Sequence, residues 1–125
     1  MNLIFLDTEC TGVDKEDRLI QLAYKDSDGT YEVNELFKSP MPIKFEAMAV
    51  HHITEKMIAN KPAFLEGVPA YDNLYCMIEA GGIVVAHNAK FDIAMLEKEG
   101  LMVPQHICTL KVARYLDKKG LLPSH

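Results

Sequence analysis

Cysteine is scarce in this chain and cationic charge is in deficit. The three cysteines, Cys10, Cys76 and Cys108, form no CxxC pair and accompany no histidine cluster with zinc spacing, which excludes a zinc-ribbon or disulfide-framework protein. Three free thiols fit a reducing compartment. No stretch approaches the run of about 18 apolar residues that a membrane span needs, so no membrane association is expected. The opening Met1-Asn2-Leu3-Ile4-Phe5-Leu6-Asp7 has no basic segment, and an acid interrupts its apolar run. It does not read as a signal peptide, and a cytoplasmic location is expected. Lys plus Arg number 13 against 18 Asp plus Glu, for a net charge of −5. That excludes a basic protein that coats duplex by neutralising phosphates. It leaves room for a nucleic-acid enzyme in which bound divalent cations supply the positive charge.

What is present is an ordinary globular mixture, 125 residues with 49% hydrophobic and 25% charged. That suits one domain with a real core. There is no internal repeat, low-complexity tract or linker. Leu3–Leu6 is a continuous apolar run of the kind found in buried strands. Leu19–Tyr24 is a second strand candidate, followed by the turn signal Asp26-Ser27-Asp28-Gly29. Tyr31–Phe37 alternates as a third strand would. Ser39-Pro40-Met41-Pro42 breaks the pattern, and 46–60 reads as one or two short helices with Thr54 as a cap. A helical spacing begins near Tyr71 and stops at Gly81-Gly82. Ile83–Ala86 is a short β-branched strand. A helix capped by Asn88 runs to about Glu99, Ile107-Cys108 is a short strand, and a helix capped by Thr109 runs to about Leu116. The order βββ–α–β–α–β–α predicts a mixed α/β sheet.

Asp7-Thr8-Glu9 closes the first strand. Residues two apart on a strand share a face, so Asp7 and Glu9 project together and repel. A divalent metal removes that repulsion, since Mg²⁺ and Mn²⁺ favour carboxylate and water oxygens; a solvated acidic strand end is the other account. Asp92 falls in the first turn of its helix, where the helix dipole alone favours an acid. It also neighbours Phe91 and precedes Met95 and Leu96 by three and four residues, which places it near the inward face.

Two segments together resemble a family. Phe5-Leu6-Asp7-Thr8-Glu9-Cys10-Thr11-Gly12 is similar to the first motif of the DEDD 3′→5′ exonucleases, and Val85-Ala86-His87-Asn88-Ala89-Lys90-Phe91-Asp92 to the second. Val50-His51-His52-Ile53-Thr54 and Ile107-Cys108-Thr109-Leu110 resemble the subgroup of DNA polymerase III epsilon proofreading subunits. The resemblance implies a ribonuclease-H-like mixed five-stranded sheet with flanking helices, and two-metal hydrolysis of phosphodiester bonds at a 3′ end. It implies Asp7, Glu9 and Asp92 as catalytic metal ligands for Mg²⁺ or Mn²⁺. It implies that Thr11 and Gly12 place backbone groups against the terminal nucleotide. His51, His87 and Asn88 would hydrogen-bond in its pocket, and Phe91 would give apolar contact. Implied partners are single-stranded DNA or RNA 3′ ends and a DNA polymerase subunit. An exoribonuclease and a catalytically silent binding module are the alternatives.

The sequence departs from the family's pattern in one respect. The third motif, a histidine five residues before an aspartate, is met only by His87/Asp92, and Asp92 already belongs to the second motif. Residues 1–125 are therefore expected to be one exonuclease-like domain ending short of that motif and its C-terminal helices, with impaired activity. The outward face of the first strand, with Leu3 and Phe5, would then be uncovered. Self-association through that face is expected, unless the segment from Thr109 to His125 folds back as a lid through Leu110, Leu116, Leu121 and Leu122.

Overall fold

A computed structural model of the protein describes residues 2–121. Its sheet holds β1 (Leu3–Cys10), β2 (Leu19–Asp26), β3 (Glu32–Leu36), β4 (Ile83–Ala86) and β5 (His106–Cys108) in the order β3-β2-β1-β4-β5. β1, β2 and β3 form the antiparallel meander expected from the turn signals, while β4 and β5 run parallel to β1. The helices are α1 (Phe45–His51), α2 (Glu55–Ile58), α3 (Pro69–Glu79), α4 (Ala89–Lys98) and α5 (Thr109–Lys118).

Alternation along β1 decides which face is which. Ile4, Leu6, Thr8 and Cys10 are buried, whereas Phe5 and Asp7 are exposed and Glu9 is half-buried. Ile4 and Leu6 pack under α3 and α4, in one cluster with Leu74, Met77, Ile78, Ala89, Ile93 and Leu96. Each such aliphatic side chain contributes about 1.5–3 kcal/mol by leaving water. On the opposite face, Phe5, Ala23, Lys25, Asn34 and Val85 line an open depression of about 470 Å³. Phe5 is 48% exposed there. α5 begins beside this depression, and none of its residues is buried. Of the leucines expected to form a lid, Leu110 packs against the core edge and Leu121 is exposed; Leu122 and His125 lie outside the described residues.

A register shift at Glu9/Cys10 leaves Ile20 as the extra residue on β2. Bulges bend a strand and re-aim its side chains. Here Leu19 joins the main core while its neighbour Ile20 turns into a second cluster with Ile43, Ile53 and Ile58. That cluster holds α1 and α2 against Ile20 of β2 and Leu36 of β3. Thr54 caps α2 as expected, its hydroxyl accepting from the Met57 amide at 3.3 Å. Two other expected caps differ. Asn88 stands at the head of α4 but makes no side-chain cap bond. Thr109 is the first residue of α5, and its hydroxyl turns back toward β4, 3.0 Å from His87 Nδ1. For Thr109 the end of β4 supplies the alternative partners, His87 Nδ1 and the Ala86 carbonyl at 3.4 Å.

A buried polar knot fixes the segment between β1 and β2. Thr11 and Asp17 are both fully buried. The Asp17 carboxylate accepts from Thr11 Oγ1 at 2.8 Å, the Asp14 amide at 2.9 Å and Lys44 Nζ at 2.7 Å. Gly12 is required by this approach, since a Cβ there would overlap the Asp17 carboxylate and come 2.8 Å from Lys44 Cδ. Burial raises the Asp17 pKa, but the hydrogen bonds from Lys44, Thr11 and Asp14 outweigh it and hold it below the ordinary value. Breaking a buried charged pair typically costs about 3 kcal/mol or more. Asp17→Ala is therefore expected to lower the free energy of urea unfolding by about 3 kcal/mol at neutral pH. A group with a depressed folded pKa stabilises fully above its unfolded value, near 3.9 for Asp, and loses that contribution as the pH falls through the folded value. The gap between wild type and variant in urea titrations should thus narrow at acid pH.

Candidate active site

β4 pairs with β1 only through Leu3, Ile4 and Phe5, so the second half of β1 extends past it. The space this leaves is filled by the start of α4. Asp92, in the first turn of that helix and 5% exposed, accepts from the Thr8 amide at 3.2 Å and from the Thr8 hydroxyl at 2.5 Å. The helix thereby supplies a partner for a strand N–H that β4 does not reach. Asp92 sits beside a strand segment whose outer face carries Asp7 and Glu9.

Burial, and then the Asp7 charge, raise the proton affinity of Glu9 and Asp92. Burial pushes the Asp92 carboxyl up, the Thr8 hydroxyl opposes this, and the Asp7 charge adds to it. Glu9 is raised by burial and then by Asp7, with His51 opposing and Asp92 adding. None of the ion pairs among the described residues includes Asp7, Glu9 or Asp92. The acidic group whose oxygens do gather within 4.8 Å of one another is Asp14, Glu16 and Asp17. Lys44 Nζ lies among those at 2.6, 3.4 and 2.7 Å, so a protein cation already neutralises them. The Asp7–Glu9–Asp92 set is all-oxygen, more widely spaced and without an ion-pair partner among the described residues, a combination that suits hard divalent cations.

Beside it lies a cavity of about 590 Å³ lined by Glu9, Gly12, Val13, Ala47, Val50, His51 and Phe91, among others. Val13 and Val50 are 82% and 77% exposed, so the cavity has a charged end at Glu9 and an apolar rim. Four of the residues expected around a nucleotide or metal, Glu9, Gly12, His51 and Phe91, meet here. His51 contributes its ring rather than a free hydrogen-bonding nitrogen. Its Nδ1 accepts from the Ile53 amide at 3.0 Å, which leaves Nε2 to donate to the Cys10 carbonyl at 3.0 Å. That bond ties the end of α1 to the end of β1.

The remaining expectations need correction. Thr11 offers no free backbone group: its N–H donates to the Arg18 carbonyl at 2.9 Å and its C=O accepts from the Lys44 amide at 2.8 Å. Its hydroxyl is held by Asp17. His87 is exposed at the end of β4 and lines the open sheet depression with Asp7 instead of the cavity. Asn88 is exposed and lines neither. Sequence reasoning missed Thr8, whose alternation on β1 directs it to the inner face, and Lys44, whose partnership with Asp17 across 27 residues has no local signal. It also gave Cys10 no role. The Cys10 thiol lies 3.9 Å from Thr8 Oγ1, and burial pushes its pKa up to about 12, so it remains a protonated donor.

The sequence matches the RNase T exonuclease family over residues 4–122. It is 35% identical over 117 residues to exodeoxyribonuclease 10 of Escherichia coli K12, covering 91% of this chain and 48% of that protein. It is 33% identical over 97 residues to the DNA polymerase III epsilon subunit of Treponema pallidum, covering 74% of this chain and 43% of that one. The chain thus spans about half the length of the curated relatives it matches. Among solved structures it superposes on exonuclease X in complex with 5′ overhanging duplex DNA, with a TM-score of 0.62 and 28% identity over 98% of this chain and 75% of that one. The sheet order and flanking helices are those of the ribonuclease-H-like exonuclease fold, and the chain belongs to the RNase T exonuclease family within the DEDD superfamily.

Proposed function

We propose that this chain carries the metal-binding half of a 3′→5′ exonuclease that acts on the 3′ end of single-stranded DNA. The observation that carries the reading is the set Asp7, Glu9 and Asp92, which has no ion-pair partner among the described residues and whose Glu9 lines a cavity of about 590 Å³, large enough for a nucleotide. The matched relatives, an exodeoxyribonuclease and a polymerase proofreading-type subunit, favour DNA as the substrate class.

In this reading Asp7 and Glu9 from β1 and Asp92 from α4 hold a pair of Mg²⁺ or Mn²⁺ ions. Such a pair, when bound, activates water and stabilises the leaving oxygen of a phosphodiester. Phe91, Val13 and Val50 supply apolar surface for a base, which needs no hydrogen-bond readout and suits sequence-independent digestion. Glu9 lies at the cavity's charged end, where the phosphate next to that base would come. His51 keeps the cavity wall in register with β1 through Cys10. None of the 125 residues fits a separate histidine base five residues before an aspartate. Loss of a general base costs on the order of 10²–10⁴-fold, so turnover by these residues alone is expected to be slow.

Two outcomes test this reading. With Mn²⁺ and 5′-labelled single-stranded DNA, products should form a ladder that shortens from the 3′ end, and Asp7→Ala should lower the rate by at least about 10²-fold; internal cuts, or an unaltered rate in the variant, contradict it. Asp92→Asn should separate stability from function. A carboxylate whose folded pKa is raised destabilises the fold above its unfolded value, near 3.9, and that penalty fades as pH falls and the group protonates. The neutral amide can still accept from Thr8. Its thermal midpoint at pH 7 should therefore equal or exceed that of the parent protein while Mn²⁺-dependent cleavage is lost.

A further inference from the structure

Asp92 is held on one side only. Its Oδ1 accepts both the amide and the hydroxyl of Thr8. Its Oδ2 accepts no hydrogen bond from the described residues, and none of their buried side-chain oxygens lacks a partner, so Oδ2 reaches solvent. Thr8 stands between Asp7 and Glu9 in the chain but projects to the opposite face of β1, where it is 5% exposed. Its amide is free for Asp92 because β4 pairs no farther along β1 than Phe5. The Cys10 thiol approaches Thr8 Oγ1 at 3.9 Å. With that thiol donating, the Thr8 O–H is left to point at Asp92.

We propose that Thr8 is the positioning residue of the site, fixing which oxygen of Asp92 is presented to a divalent cation. The proposal rests on the carboxylate reading given above. A carboxyl group turns readily about its last side-chain bond, since that torsion is broad and two-fold. Two donors from one residue on one oxygen remove that freedom. The hydroxyl bond is short and charge-assisted, the stronger class of hydrogen bond. Both donors belong to the strand residue flanked by Asp7 and Glu9, so the orientation of Asp92 is tied directly to the backbone that carries the other two ligands. A cation then meets three carboxylates in a fixed relation, without first having to order one of them. Partners that orient ligands in this way commonly alter metal affinity by 10–100-fold.

The same bonds also dock α4 on β1, and the test separates positioning from docking. Free Mn²⁺ is followed by electron paramagnetic resonance while the 125-residue chain is titrated, for the parent protein and for Thr8→Val, Thr8→Ser and Asp92→Asn. Val keeps the β-branched shape that suits a strand and removes the hydroxyl; Ser keeps the hydroxyl and removes the methyl. Thr8→Val is expected to weaken Mn²⁺ binding about 10-fold, with Thr8→Ser within about two-fold of the parent. If the Val variant fails to give a native amide spectrum, Thr8→Ala carries the same expectation. Parent-like binding in the hydroxyl-free variant, with binding weakened in Asp92→Asn, overturns the role of Thr8 and leaves the carboxylate site standing. Equal loss in Thr8→Ser and Thr8→Val assigns the effect to packing and also overturns it. Parent-like binding in Asp92→Asn, or no binding by the parent, removes the carboxylate site itself and this proposal with it.

Discussion

β1 is eight residues long, but β4 covers only its first half, and the arrangement of the site follows from that mismatch. Where β4 stops, a strand edge deep in the molecule would expose an unpaired amide, which costs as much as a lost hydrogen bond. The first turn of α4 supplies the missing acceptor through Asp92, and in doing so brings a carboxylate of a distant segment next to Asp7 and Glu9. A longer β4 would pair the strand with backbone and leave Asp92 outside. The bulge that follows at Glu9/Cys10, with Ile20 as its extra residue on β2, falls beside the cavity that Glu9 and Cys10 line.

Two acidic groups lie at this end of the molecule, and their electrostatics differ in kind. Asp14, Glu16 and Asp17 surround the Lys44 ammonium, and the buried member, Asp17, is held ionised. That group is structural, fixing the β1–β2 connection and making Gly12 necessary. Asp7, Glu9 and Asp92 have no such cation among the described residues, and burial and mutual repulsion raise the pKa of Glu9 and Asp92. A site that is electrostatically incomplete at neutral pH is costly for the fold. It is also the place where perturbed groups mark function.

Much of this was legible in the sequence. The turn at Asp26–Gly29, the apolar runs and the glycine stops gave the strand and helix order. The spacing of Asp7 and Glu9, and the inward position of Asp92 beside Met95 and Leu96, gave the carboxylate set. Legibility failed where a side chain's partner lies far along the chain. Thr11 was read by its place in a motif, yet its groups are committed to Arg18, Lys44 and Asp17. His87 is expected beside the nucleotide, and it lines the open sheet depression with Asp7 rather than the cavity beside Glu9. Thr109 looked like a cap and instead faces His87. In each case local pattern identified the residue type correctly, and tertiary geometry decided what it touches.

The central claim is that divalent cations bind at Asp7, Glu9 and Asp92, and not at the other acidic group. Anomalous diffraction from crystals of the protein soaked in Mn²⁺ distinguishes the two directly. The account predicts anomalous density between the carboxylates of β1 and Asp92, with Lys44 still among Asp14, Glu16 and Asp17. Density at that second group with Lys44 displaced, and none beside Asp7, would contradict it.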